Sequence, residues 1–312
     1  MSKTAQGVTE LPVRLWSRGG LTWEDLGKRL LVRSRTHNLL DGAALLSFYL
    51  LLSFFPLLIF LSSLTGILIS SQTETYWRLL NYVAHLMPNS AFSVFNSFLS
   101  QIKLGASGGK LSFGLIASLW TASSGISALM ESLNVAFEVP TDRSWWRRRL
   151  VAILLTLGIG ALLATSLLFL FATSSAGAYI TGQLPLLGGF GRLSNIIQWL
   201  VDTLLLSSCL TVIYAFGPNR KRKSWAGILP GVLFALISWC AASWGLQFYL
   251  SRYGSLTHSY GSFAGVIALL LWLYASSIAI LLGGEFNAII WMKLYSTVSR
   301  SVPSPTENDG RP

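Results

Sequence analysis

The sequence predicts an all-α polytopic membrane bundle of six transmembrane helices, with both termini on the cytoplasmic side. Three observations support this fold class. Hydrophobic residues make up 52% of the 312 residues and charged residues only 11%, whereas soluble domains carry about 25% charged residues. Long stretches lack any Asp, Glu, Lys or Arg, and each is long enough for the roughly 20 residues that cross a bilayer. The Lys and Arg residues are concentrated in alternate loops.

The uncharged stretches define the spans. They cover 42–73, 111–130, 150–191, 224–251 and 253–284, and a further apolar stretch, 193–219, is interrupted only by Asp202. The predicted spans are 42–69, 111–137, 150–178, 195–216, 227–249 and 262–291. They form one membrane domain over 42–292, preceded by a cytoplasmic arm (1–41) and followed by a disordered, proline-containing cytoplasmic tail (293–312).

The distribution of positive charge predicts the orientation. With the N-terminus inside, 18 of the 23 Lys and Arg residues fall in the arm, the loops after the second and fourth spans, and the tail. Such an excess is typical of cytoplasmic segments. We therefore interpret the net charge of +11 as this bias together with attraction to anionic lipid headgroups, rather than as a nucleic-acid surface. A headgroup-facing basic rim is predicted from Arg147, Arg148, Arg149, Arg220, Lys221, Arg222 and Lys223.

Two amphipathic segments lie outside the spans. In the arm, residues 22–35 predict a helix with Trp23, Leu26 and Leu30 on one face. We interpret it as an interfacial helix on the inner leaflet, with binding of a partner as the alternative. Between the first two spans, apolar residues recur every three or four positions over 74–104, which predicts an amphipathic helical hairpin on the outside.

Two features of the spans indicate packing. Pro56 lies inside the first span, where it predicts a helix kink. Gly227, Gly231 and Ala235 follow one another at four-residue spacing in the fifth span, a pattern that allows helices to approach closely.

The second span carries a polar stripe. Trp120, Ser124, Ser127, Glu131, Asn134 and Glu138 follow steps of three and four residues, so they share one helix face. Polar groups facing lipid are unfavourable, and the stripe is therefore expected to face the bundle interior or a wet cavity. Two interpretations stay open at this stage: hydrogen bonding to neighbouring helices, or a polar path through the bundle.

Three further polar residues lie within predicted spans and extend the predicted path. They are Asp202 in the fourth span and Glu285 and Asn287 in the last. Ionisable groups at membrane depth are functional candidates by default. The three histidines (His37, His85 and His258) are far apart in the chain, so neither a metal site nor another cofactor is expected.

Several short motifs resemble those of the YihY/virulence factor BrkB family of bacterial inner-membrane proteins. They include Leu51–Pro56, Trp120–Ile126, Trp145–Arg149, Gly217–Arg220, Leu229–Gly231, Tyr260–Ser262, Leu271–Tyr274 and Gly284–Ala288. The resemblance implies a six-span fold and residence in the bacterial cytoplasmic membrane. Members of this family have carried the label ribonuclease BN, and others are linked to serum resistance or envelope lipid export.

These observations favour transport or lipid translocation without covalent chemistry, with membrane lipids as partners and no nucleic acid. The alternative is a structural or scaffolding membrane protein whose polar residues only specify packing. A nuclease is not supported, because the sequence has no Gly-rich phosphate loop and no recognisable metal or general-base constellation. Substrate, coupling ion and oligomeric state stay open.

Overall fold

Helices account for all the regular structure in the described part of the chain. The computed structural model describes residues 23–68, 108–140, 143–183, 190–220, 227–252 and 263–300, with isolated positions between 80 and 97. Its seven helices are α1 (Trp23–Thr36), α2 (Leu39–Leu68), α3 (Gly108–Ala136), α4 (Trp145–Gln183), α5 (Phe190–Phe216), α6 (Leu229–Arg252) and α7 (Ala264–Arg300). Apart from those isolated positions, the predicted hairpin over 74–104 lies outside the described residues.

Four segments of these helices are long and apolar enough to cross a bilayer. They are Leu39–Leu57, Ser112–Ala136, Leu229–Arg252 and Ala264–Lys293, and Leu200–Phe216 is a shorter apolar segment. The other two predicted spans, 150–178 and 195–216, lie within α4 and α5.

Helix ends from all parts of the chain meet at one end of the bundle, which we call the basic end. Asn219, just after α5, donates its backbone N–H to Asn134 Oδ1 near the end of α3 at 2.8 Å. Arg143, just before α4, donates to the Gly217 carbonyl after α5 at 3.3 Å. Gly231 in the first turn of α6 donates to Asn287 Oδ1 in α7 at 2.8 Å. Helices that follow one another from α2 to α7 therefore run in alternating directions.

The core lies where these helices meet. Its buried apolar side chains come from α2, α3, α5, α6 and α7, and Leu133 and Tyr214 are among the most completely buried. The Tyr214 hydroxyl donates to the Ile280 carbonyl of α7 at 2.6 Å. A buried phenol needs such a partner, so this bond fixes α5 against α7.

The small residues of α6 allow close contact with α7, as their spacing predicts. A Cβ added at Gly231 would overlap Asn287 and the Gly283 carbonyl, and one at Gly283 would lie 2.6 Å from the Ala235 Cβ. The prediction is therefore confirmed for Gly231 and Ala235. Gly227 lies just before the helix begins at Leu229.

The arm helix is confirmed, with α1 spanning Trp23–Thr36, but its surroundings differ from the prediction. Leu26 is buried against Phe286 and Ile289 of α7, so the face expected to rest on lipid packs on the bundle. The next residues around the helix, Leu31 and Val32, are 66% and 62% exposed. The sequence shows the apolar face but not that α7 covers it.

The end of the last helix differs from the prediction. The last helix continues to Arg300, so the disordered tail predicted from 293 is wrong for 293–300. The first proline after α7 is Pro303, and nothing before it interrupts helical hydrogen bonding.

Pro56 lies inside α2, which is helical on both sides of it. Asn38 and Glu138 adopt positive φ angles of 49° and 51° and end α1 and α3.

Candidate functional site

The polar stripe of α3 faces the basic residues that begin α4. Glu131 Oε1 accepts a hydrogen bond from Arg148 Nη1. Arg149 Nη1 donates to Ser124 Oγ, and Nη2 donates to the Trp120 carbonyl, both at 2.9 Å. The Arg149 guanidinium also lies 4.0 Å from the centre of the Trp120 ring, within the range of a cation–π contact. The stripe is therefore partnered by two arginines.

The local sequence explains why the stripe of α3 contacts Arg148 and Arg149 of α4. Ser124, Ser127 and Glu131 share one face of α3 because their spacing matches the helix period. A short connection then reverses the chain, and α4 begins at Trp145. Arg148 and Arg149 thus lie in the first turns of a helix that packs antiparallel on α3, where their long side chains reach the stripe.

These side chains surround a cavity of about 210 Å³, which we call the Glu131 cavity. Glu131 and Arg148 are 44% and 32% exposed through their side chains, so the protein covers this ion pair only in part. Among its described lining residues, two arginines and one glutamate give the cavity one excess positive charge. It is lined by Leu45 and Tyr49 of α2, Ser124, Ser127, Ala128 and Glu131 of α3, and Trp145, Arg148 and Arg149 of α4.

One donor in the cavity wall has no acceptor. Arg149 Nε is buried and makes no hydrogen bond within the described residues. A buried donor without an acceptor costs about 1–3 kcal/mol. An anionic or strongly polar group in the cavity would remove this cost only if the Arg149 side chain shifts, because Nε is closed off from the cavity.

A second polar cluster joins α1, α3 and α7. Glu285 is only 2% exposed, and its two oxygens contact Arg33 Nε at 3.1 Å and His37 Nδ1 at 2.6 Å. Arg33 also donates to Glu138 Oε1 at 2.8 Å and to the Ala136 carbonyl at 2.5 Å. Because Arg33 bonds the last residues of α3 and a carboxylate of α7 together, this cluster connects three helices.

The remaining predicted path residues lie apart from the Glu131 cavity. Asn134 and Asn287 are buried, and each accepts a backbone N–H from the start or end of another helix. Asp202 is half-buried in α5 and is not among the residues that line the cavity. The described residues thus bring Ser124, Ser127 and Glu131 together but place Asn134, Asp202, Glu285 and Asn287 in other surroundings.

The predicted basic rim is divided in the same way. Arg147 is exposed, whereas Arg148 and Arg149 turn into the cavity. Arg220 is 8% exposed, donates to the Tyr214 carbonyl at 2.7 Å and lies 4.1 Å from the centre of the Phe137 ring. Its placement on a headgroup-facing rim is therefore wrong.

The turn after α5 directs the Arg220 side chain back under α3, and the resulting desolvation lowers the pKa of Arg220 to about 10. Lys221, Arg222 and Lys223 lie outside the described residues.

Two important residues were missed in the sequence: Arg33 and His37. Both continue the face of α1 that carries Leu26 and Leu30, at steps of three and four residues. This spacing is a usable signal, because polar groups that prolong an apolar helix face point toward the same neighbour. The spacing does not identify that neighbour, which is Glu285.

The antiparallel apolar helices and the charges gathered at one end define a multi-pass integral membrane protein. The chain belongs to the virulence factor BrkB family, whose model matches residues 30–303. This confirms the family resemblance drawn from the sequence motifs.

Several curated proteins are similar. The ribonuclease-like protein YfkH of Bacillus subtilis (strain 168) is 35% identical over 84% of this chain and 94% of its own length. UPF0761 membrane proteins of Stenotrophomonas maltophilia (strain R551-3) and Nitrosospira multiformis are 28% and 32% identical over 90% and 83% of this chain. The chain spans less than two thirds of these two proteins, 64% and 59%. No solved structure matches.

Proposed function

We propose that this protein translocates an anionic or polar solute across the bacterial cytoplasmic membrane, with lipid headgroups as the favoured substrate class. The observation that carries the proposal is the Glu131 cavity, an open, charged cavity between helices that are otherwise apolar. Charged side chains at membrane depth are expensive and mark solute pathways. The buried Arg149 Nε, which has no acceptor within the described residues, favours an anionic group over a cation.

The proposed topology has six spans, with α4 and α5 crossing the bilayer beside the four helices that qualify by length and composition. Both termini would then be cytoplasmic, and the basic end would face the cytoplasm. The alternating directions of α2 to α7 and the concentration of Lys and Arg at one end support this arrangement. The UPF0761 relatives are named as membrane proteins.

Binding would proceed by exchange of ionic partners. An incoming phosphate or carboxylate would compete with Glu131 for Arg148, and it would accept from Arg149 Nε once the Arg149 side chain shifts toward the cavity. Glu131 would then be released from its ion pair, and the excess positive charge of the cavity would be neutralised. Every step is a change of hydrogen bond or ion pair, so the proposal requires no covalent chemistry.

A structural or scaffolding role is the alternative, and specific contacts favour it for part of the polar set. Asn134, Asn287 and Glu285 each bond another helix or a helix end, as expected for residues that specify packing. A nuclease role has less support: the ribonuclease label belongs to YfkH, and within the described residues no group of three or more His, Cys, Asp or Glu side chains could hold a metal ion.

The experiment is flux of fluorescent phosphatidylglycerol and phosphatidylcholine in proteoliposomes, comparing the native chain with Glu131→Gln. A matched control is Glu24→Gln, because Glu24 is an exposed carboxylate on α1 outside the cavity. We expect Glu131→Gln to lower flux at least several-fold while Glu24→Gln retains it. Unchanged flux in Glu131→Gln would refute the assignment of the cavity. Loss of thermal stability without any native flux would support the scaffold.

A further inference from the structure

The basic end contains a second, larger opening, between α1 and α7. This α1–α7 cleft has a volume of about 630 Å³, against about 210 Å³ for the Glu131 cavity. Four cationic side chains line it (Lys28, Arg29, Arg33 and Lys293), together with apolar Val32, Ile289 and Met292, and none of its described lining residues is acidic. It shares no lining residue with the Glu131 cavity.

The positive charge of the cleft is only partly compensated. Arg33 is committed to Glu285 and Glu138. Lys28 pairs with Glu24 across one turn of α1, but both side chains are largely exposed, at 70% and 76%, and such a surface pair contributes little. Arg29 is exposed and forms no ion pair among the described residues. Lys293 has a partner of its own. The exposed Arg29 and the weakly paired Lys28 are therefore the donors that the cleft offers to an anion.

The apolar part of the lining decides what kind of anion fits. Val32 is 62% exposed at the edge of the cleft, and the neighbouring Leu31 is 66% exposed. Inside, Ile289 and Met292 of α7 form an apolar surface next to the cations. A small inorganic anion would satisfy the cations alone. An amphiphile satisfies both parts, with its headgroup on the cations and its acyl chains along Val32 and Leu31.

The position of the cleft matches a source of such amphiphiles. Arg33 in its wall contacts the last residues of α3, so the cleft lies where helices leave the apolar region, at the level of lipid headgroups. Most of the Lys and Arg residues that the structure describes lie on this side, which favours the cytoplasmic leaflet, and this leaflet carries anionic lipids.

From these observations we infer that the α1–α7 cleft is a binding site for the headgroup of an anionic phospholipid. The inference concerns binding and does not depend on whether the protein transports anything. It also differs from general attraction to a basic surface, because the site is defined by a specific cleft with an apolar wall.

The test is native mass spectrometry of the full-length protein in detergent, titrated with phosphatidylglycerol or phosphatidylcholine. The cleft variant is Arg29→Gln. The control is Arg35→Gln, which removes the same charge from an exposed position of the same helix outside the cleft. We expect the cleft variant to weaken phosphatidylglycerol binding about fivefold, from one lost cationic contact, and the control to weaken it less than about twofold.

Three results would overturn the inference. One is an equal loss in Arg29→Gln and Arg35→Gln, which would indicate a diffuse surface charge. Another is equal affinity of the native chain for phosphatidylcholine. The third is displacement of phosphatidylglycerol by millimolar inorganic phosphate, which would indicate a site for free anions.

Val32→Ser tests the apolar wall without altering charge. It should weaken lipid binding and leave phosphate binding unchanged, and an unchanged lipid affinity would contradict the proposed seat for the acyl chains. Flux through the Glu131 cavity would stay intact in these variants, so the two proposals can fail separately.

Discussion

Glu285 is buried in the second half of α7 with two nitrogen partners, Arg33 in α1 and His37 just after it. A carboxylate removed from water is stable only when its charge is compensated. Arg33 compensates the charge of Glu285 from a mostly buried position, because its side chain is 17% exposed and that of Glu285 is 3% exposed. The arm helix is therefore part of the folded bundle and compensates a charge within it.

Removing Arg33 should consequently destabilise the protein strongly. We expect Arg33→Met to lower the free energy of unfolding by about 3–5 kcal/mol, since it leaves Glu285 buried beside His37 alone. The measurement is unfolding in detergent, followed by circular dichroism, with Arg35→Met as the control. Arg35 is exposed on the same helix, so its loss should cost less than about 1 kcal/mol. Equal effects of the two substitutions would contradict the role assigned to Arg33.

Glu138 combines a strained backbone with an ion pair. Its φ angle is 51°, and the bonds from its N–H to Val135 and from the Val139 N–H to Asn134 form the helix end that usually contains glycine. A side chain in this conformation costs about 1–2 kcal/mol. Its carboxylate, in return, accepts from Arg33.

Substitutions at Glu138 should separate these two effects. In Glu138→Gly the relief of strain offsets the lost, half-exposed ion pair, so we expect a change of less than about 1 kcal/mol. In Glu138→Val the ion pair is lost and a β-branched side chain is held at positive φ, so we expect destabilisation by about 1–3 kcal/mol. The same unfolding measurement compares them. If valine is tolerated as well as glycine, the left-handed conformation does not persist in solution.

At the scale of elements, the contact between α6 and α7 depends on the absence of side chains. Gly231 and Gly283 face each other so closely that a Cβ on either would overlap the other helix. This proximity also lets Asn287 accept the Gly231 N–H. In a membrane, where burial of apolar surface drives association little, such close packing and hydrogen bonding hold helices together.

Gly231→Ala should therefore destabilise the protein by about 1–3 kcal/mol through overpacking. Gly245 supplies a matched control, because it lies in the same helix and a Cβ there meets nothing within 4 Å. Gly245→Ala should be neutral or slightly stabilising, since alanine has the higher helix propensity. Thermal unfolding of both variants in the same detergent tests this. A loss in Gly245→Ala as large as that in Gly231→Ala would contradict the assignment of the effect to close packing at Gly231.

Predictability from sequence differs between elements and their partners. Amphipathic spacing predicted α1, and the long uncharged stretches predicted the apolar helices, because these are properties of a single helix. The end of α7 was predicted too early, since polar residues before Pro303 do not by themselves stop a helix. The stripe through Glu131 was predicted, whereas Arg148 and Arg149 as its partners were not. Which faces of two helices meet depends on their rotation and packing, and one sequence does not specify these.

At the scale of the whole molecule, the charges at the basic end have different functions. Some compensate buried partners, as Arg33 does, and Arg220 is itself buried under Phe137. Others stay accessible in the Glu131 cavity and the α1–α7 cleft. The same loops that orient a protein in the membrane thus supply its candidate binding groups. The positive charges at the basic end therefore do more than orient the protein, because these arginines also make contacts within the bundle.

Orientation is the property of the whole molecule on which both sites depend, and it can be measured directly. In a background with Cys209→Ser and Cys240→Ala, Ser144→Cys places a thiol at the basic end, and Ser251→Cys places one at the end of α6 away from it. Both serines are exposed. Because Lys and Arg concentrate at the basic end, we expect a membrane-impermeant maleimide to label Ser251→Cys in intact spheroplasts. Ser144→Cys should react only after permeabilisation. The reverse pattern would place the basic end outside, where the anionic cytoplasmic leaflet could not supply the α1–α7 cleft. Labelling of both positions in intact cells would contradict a bundle whose helices all cross the membrane.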